Sequence, residues 1–123
     1  MSLNSINEII NEFSDIITNY SILKDEVTNR RAIFEMKIAF IDSSKLQTRE
    51  IIYFLSEDSS KRNYSFQWMN EDNSLIIRWD NAKHHSFLKN FPFHKHEESD
   101  GNVLDSVEMT LPDVLSFIKS HIE

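Results

Sequence analysis

Near residue 20 the hydrophobic pattern of this chain changes period, from helical spacing to alternation, and few folds accommodate that change. Before it, Leu3, Ile6, Ile9, Ile10, Phe13, Ile16, Ile17 and Tyr20 recur at three- and four-residue steps. This is one apolar stripe and predicts an amphipathic helix over 3–20. Ser2, or Ser5 with Glu8, can cap its start. After it, apolar, β-branched and aromatic residues alternate with polar ones, which predicts strands over 21–28, 32–42, 48–55, 63–69 and 75–80. Phe34, Met36, Ile38 and Phe40 share one strand face, and Tyr64, Phe66 and Trp68 another. The apolar run Ile51–Leu55 suggests a central position for its strand. Polar connections at 42–44, 56–62 and 70–74 are short enough for an antiparallel meander.

At the other end, Thr110-Leu111-Pro112-Asp113 is a capped helix start, followed by Val114, Leu115, Ile118 and Ile122 at helical spacing. The expected fold is a single α+β domain over 1–123. An N-terminal helix, an antiparallel meander of about five strands, a histidine-rich irregular segment and a C-terminal helix follow in that order. No repeat or linker divides the chain.

Composition removes several classes of function. The chain has no cysteine, which excludes disulfides, thiolate metal sites and a cysteine nucleophile. Its single glycine, Gly101, cannot furnish the glycine-rich loops that cradle nucleotide phosphates. No apolar run approaches the roughly 20 residues of a membrane helix, and no signal segment opens the chain. A cytoplasmic protein with no membrane partner is the expectation.

The net charge of −7 argues against general nucleic-acid affinity, because phosphate binding draws on cationic side chains. The charge is unevenly spread, however. Residues 78–96 hold Arg78, Lys83, Lys89 and Lys95 against Asp80 alone, and they contain four of the five histidines. Such a basic, histidine-dense segment is a candidate site for an anionic substrate.

Within it, alternation puts Leu75, Ile77 and Trp79 on one strand face and Ile76, Arg78 and Asp80 on the other. The strand runs into Asn81-Ala82-Lys83-His84-His85. Further on, His94 and His96 fall on one side of an extended stretch and Lys95 on the other. Metal-independent RNA cleavage needs a base, an acid and a cation. Histidine serves the first two because it titrates near neutrality, and Arg78 and Lys95 suit the third. The expected catalytic set is Arg78, Asp80, His84, His85, His94, Lys95 and His96, with His84 or His85 paired to His94 or His96. Asp80 would fix a histidine tautomer or hold Arg78. Tyr64 and Trp68, if exposed, could stack on bases, and Asn81 and Lys83 are further substrate contacts.

Plainer roles compete with these. Arg78 and Asp80 can form an ordinary ion pair, the aromatic stripes can be core, and His121 can simply complement a helix C-terminus. Glu97-Glu98-Ser99-Asp100 reads as a solvated loop. No cofactor is expected, but the imidazoles with Asp80 or Glu97 could bind a transition metal such as zinc, giving a metal-dependent nuclease. A non-catalytic inhibitory module is a third class.

Arg78-Trp79-Asp80-Asn81-Ala82-x-His84-His85, then Phe91-Pro92-x-His94-Lys95-His96, with Tyr64-x-Phe66-x-Trp68 upstream, resembles the TumE-type toxin family of prokaryotic toxin–antitoxin pairs. Two positions depart from the family pattern. Lys83 stands where proline is usual, and Phe93 where a histidine is frequent. The resemblance implies a growth-inhibiting toxin acting on RNA, by cleavage or modification, with a cognate antitoxin that often carries a helix-turn-helix. Whether the toxin forms a homodimer is left open.

Overall fold

Two helices pack on one face of a seven-stranded antiparallel sheet in the computed structural model, which describes residues 3–122 and side chains from Ser5 onward. The order is α1 (Leu3–Glu12), β1 (Ile17–Val27), β2 (Arg31–Phe40), β3 (Lys45–Ser56), β4 (Ser59–Met69), β5 (Leu75–Asp80), β6 (His94–Glu97), β7 (Val103–Asp105) and α2 (Leu111–Ile122). Each strand pairs with its neighbours in sequence, so the sheet is a plain meander from β1 to β7. The α+β expectation holds, with seven strands in place of about five.

The additional strands have local causes. β6 is the extended stretch anticipated around His94. β7 has three residues, too few to show a period, and exists by pairing His94–His96 with Val103–Asp105. The expected helix over 3–20 stops at Glu12. Ser14 and Asp15 occupy a turn, and the backbone N–H of Ile16 donates to the carbonyl of Phe13. The β-branched run Ile16-Ile17-Thr18 then favours extension, and β1 gains a full ladder with β2. The apolar stripe is still used: Ile6, Ile10, Phe13 and Ile16 are all buried. The helix begins at Leu3, so Ser5 lies within its first turn and does not cap it, while Ser2 lies outside the described residues.

The core is one cluster between the helices and a single sheet face. Phe34, Met36, Ile38, Phe40, Leu46, Phe66, Trp68, Ile77 and Trp79 supply the sheet side, and Leu111, Val114, Leu115 and Ile118 the α2 side. Phe117 of α2 meets Trp79 edge-on at 5.3 Å between ring centres. The predicted cap is present: Asp113 accepts bonds from the Thr110 N–H at 2.9 Å and hydroxyl at 2.8 Å.

Two hairpins share one device. In both β2–β3 and β4–β5 an aspartate carboxylate accepts from the N–H of a serine two residues on, Asp42 from Ser44 and Asp72 from Ser74, each at 3.0 Å. The residue between them, Ser43 or Asn73, takes a left-handed conformation. The expected connection over 56–62 shrinks to Glu57-Asp58, because Ser59–Arg62 pair with β3. The apolar run Ile51–Leu55 is not deeply buried. Phe54 and Leu55, at the end of β3, are exposed.

Candidate functional site

The site forms on the sheet face opposite the helices. Ladder register sets Arg78 against His96 and Asp80 against His94. Trp79 and Lys95 are the pair between them, so their side chains leave from the other face. Alternation alone therefore gathers Arg78, Asp80, His94 and His96 on one side of β5–β6. The loop after β5 returns over them and lays His85 on top. The His85 ring lies 4.8 Å from that of His94 and 5.7 Å from that of His96, and the latter two are 5.0 Å apart.

These groups are polar yet hidden. His94 is 1% exposed, His96 4% and Asp80 8%. Buried polar atoms need partners, and the two strand histidines have them on both nitrogens. His94 Nδ1 donates to the Pro92 carbonyl and His96 Nδ1 to the Asp100 carbonyl, each at 2.8 Å. Their Nε2 atoms turn inward to Asp80, at 2.7 Å from Oδ1 and 3.4 Å from Oδ2 respectively. A carbonyl can only accept, so each Nδ1 carries a proton. With Nδ1 committed, a proton also has to lie between His94 Nε2 and the Asp80 carboxylate. While these bonds stand, neither strand histidine offers a ring nitrogen to a substrate. Of the four expected acid–base candidates, His94 and His96 are held in this way, whereas His84 and His85 lie on the loop after β5.

Asp80 is further held by the N–H of Ala82, at 3.0 Å, and by Arg78 Nε, at 3.3 Å. Arg78 also pairs with Asp100 at 2.6 Å. Arg78 therefore positions the carboxylate and the 97–102 turn. His85 is half-buried, and partial burial together with the neighbouring charge of His94 and His96 holds its pKa below the ordinary histidine value.

Beside this centre lies a cleft of about 640 Å³ that includes Lys61, Arg62, Lys83, His84, Phe93 and Glu108 in its lining. The 81–84 loop borders both. Its Ala82 N–H binds Asp80, while Lys83 and His84 line the cleft, where His84 is exposed and its ring centre is 6.5 Å from that of His85.

Several expected residues have other duties. Tyr64 and Trp68 are each 4% exposed, within the core, so neither presents a face for base stacking. The Tyr64 hydroxyl accepts from the Met109 N–H at 3.2 Å, and burial raises its pKa. Trp68 donates its indole N–H to Ser44. Asn81 imitates a backbone strand partner, accepting from the Tyr64 N–H at 2.9 Å and donating to the Arg62 carbonyl at 2.8 Å. Lys95 pairs with Glu97 at 2.8 Å on the helix-side face, away from the imidazoles. Glu97 is thereby removed as an acidic partner for them. His121 caps α2 through the Phe117 carbonyl and stacks on that ring.

Asp100 was concealed in what reads as a solvated acidic loop, and Lys61 and Arg62 in what reads as a connection. Continuing the β4 alternation back from Tyr64 to Arg62 is the signal that was available. Arg62 is fixed by Glu50 at 3.0 Å and by the Met109 carbonyl at 2.9 Å.

Compared with known families, residues 6–122 match the model described as Toxin TumE. The chain belongs to the TumE toxin family. No curated protein and no solved structure matches it. Membership supports a toxin role and implies a cognate antitoxin. Among the described residues, no helix of the toxin is long and apolar enough to cross a membrane.

Proposed function

We propose that this TumE-family toxin is an endoribonuclease that draws an RNA strand along the basic cleft and breaks it beside the imidazole centre. The observation that carries this reading is the shared 81–84 loop: it lines a cation-bearing cleft on one side and ties down Asp80 of the centre on the other. Lys61 and Lys83 are exposed and suited to phosphate contact, while Arg62 at the cleft wall is already paired with Glu50 and Glu108. A localised cationic cleft on an acidic chain admits a polyanion by one route and repels it elsewhere.

In the reaction the 2′-oxygen forms a bond to the adjacent phosphorus and the bond to the 5′-oxygen breaks. The proton leaves the 2′-hydroxyl for the histidine centre, and another is delivered to the departing 5′-oxygen. The products are a 2′,3′-cyclic phosphate and a 5′-hydroxyl. His84 stands at the cleft and suits proton delivery; His85 links it to the buried centre.

The test is incubation of purified toxin with RNA, followed by end mapping, in wild type and in His84→Ala, His85→Ala and Lys83→Ala. Cyclic phosphate ends that disappear in the histidine variants are expected. Intact RNA, with growth arrest surviving His85→Ala, would overturn the proposal and leave a non-catalytic inhibitor. Nucleotide label gained by RNA would instead indicate a transferase. We further infer that the antitoxin is a helix-turn-helix protein encoded beside the toxin, and co-expression with that neighbouring reading frame should restore growth.

A further inference from the structure

We propose that His85, His94, His96 and Asp80 form a binding site for one divalent transition-metal ion of the zinc class. Three features of the centre point to it. First, each of the three imidazoles offers a ring nitrogen, and these atoms all lie within 4.8 Å of one another. Second, His94 and His96 spend Nδ1 on the Pro92 and Asp100 carbonyls, which fixes the tautomer that aims a lone pair from Nε2 inward. Histidines that bind metals are characteristically oriented by such an N–H bond from the other nitrogen. Third, the inward atoms face a carboxylate, each against its own oxygen, so that three lone-pair-bearing groups crowd together. Protons resolve this crowding in the bare protein. A cation resolves it with every group in its basic form.

The dimensions suit a tetrahedral ion. Ligand bonds of about 2.0–2.1 Å put neighbouring ligand atoms about 3.3 Å apart. His94 Nε2 stands 2.7 Å from Asp80 Oδ1 and His96 Nε2 3.4 Å from Oδ2, so the two imidazoles meet different oxygens of the carboxylate, and a small shift of that group would bring one oxygen to the ion. His85 sits on the loop after β5, where adjustment is easy. The donor set of imidazoles with one carboxylate favours zinc or cobalt over magnesium or calcium, which take oxygen ligands. Arg78 opposes the ion's charge, but its guanidinium is engaged by Asp80 and by Asp100.

Binding stands on this geometry alone. The role of the ion rests on the endoribonuclease reading, in which it would take over activation of the attacking hydroxyl from a free imidazole.

The experiment uses untagged, chelator-stripped toxin titrated with Zn²⁺ or Co²⁺, with bound metal measured by elemental analysis. About one equivalent per chain is expected, with the visible absorption of four-coordinate Co²⁺. His85→Ala, a loop substitution chosen because it leaves the core intact, should weaken binding by at least about tenfold. Asp80→Asn should do the same, with folding checked by circular dichroism. Substoichiometric metal in wild type would overturn the proposal, as would binding unchanged in both variants. Metal bound without RNA cleavage would uphold the site and defeat the endoribonuclease reading. Cleavage by metal-stripped toxin that binds no Zn²⁺ would do the reverse.

Discussion

Strand β5 buries groups on both of its faces, but with opposite chemistry. Toward the helices, Ile77 and Trp79 join Trp68 and Phe117 in an apolar core. Away from them, Asp80, His94 and His96 are just as hidden, beneath the 81–93 loop. The first face is stabilised by removal of apolar surface from water, about 1.5–3 kcal/mol for each large side chain. The second gains little in this way. Buried charges lose hydration, and their mutual attraction seldom does better than apolar replacements of similar volume. A fold that needed only stability would have made both faces alike. The proposed catalytic role of the second face would account for the difference, since a buried polar cluster adds little stability of its own.

The largest effect should come from the apolar face. Trp79→Ala removes a ring packed against Phe117 and should destabilise the toxin by about 3–5 kcal/mol, measured by urea unfolding. On the polar face, Asp80→Ala leaves two histidines and Arg78 without their shared acceptor. It should cost about 3–5 kcal/mol, the usual consequence of breaking a buried pair from one side. Changing Asp80, His94 and His96 together to leucine should recover most of that loss and still abolish growth arrest. If the triple variant is as unstable as Asp80→Ala, the cluster is structural and the contrast between the faces fails.

A smaller stability effect, with a large functional one, is expected above the cluster. His85 is half-buried on a loop, so His85→Ala should change stability by about 0.5 kcal/mol or less. RNA cleavage should fall by about a hundredfold or more, the range for loss of a group that moves or directs a proton. Paired unfolding and cleavage measurements check both. A stability loss as large as that of Asp80→Ala would make His85 a structural lid.

Much of this arrangement is legible from alternation. Two-residue periodicity correctly assigns Trp79 inward, Asp80 outward and Lys95 opposite to His94, because side-chain direction in a strand is fixed by parity. Period alone does not reveal how far a strand extends. Ile16 and Ile17 suit either a helix stripe or a strand, and pairing with β2 decides between them. Ile51–Leu55 looks buried by composition, but burial depends on what packs over a strand, and Phe54 and Leu55 are exposed. The 81–93 loop has no period, so nothing local reveals that it lays His85 on the strand histidines. The role of Asp100 depends on a backbone carbonyl, which every residue has.

The smallest effect tests what keeps the two faces apart. A one-residue slip of β5 would exchange Ile77 and Trp79 for Arg78 and Asp80, and the turn before β5 opposes that slip. There, hydrogen bonds from the Ser74 hydroxyl, and then from its backbone N–H, hold the Asp72 carboxyl below its ordinary value of 3.8. A carboxylate lowered on folding stabilises the fold above its unfolded pKa, and the contribution fades as pH drops through the folded value. Asp72→Asn keeps an acceptor for Ser74 but cannot titrate. Urea midpoints of wild type and Asp72→Asn should therefore differ by a steady amount above about pH 4 and converge as pH falls below it. A constant difference at every pH would mean that the carboxylate charge does not secure the turn, and β5 would then owe its register to the core and the imidazole cluster alone.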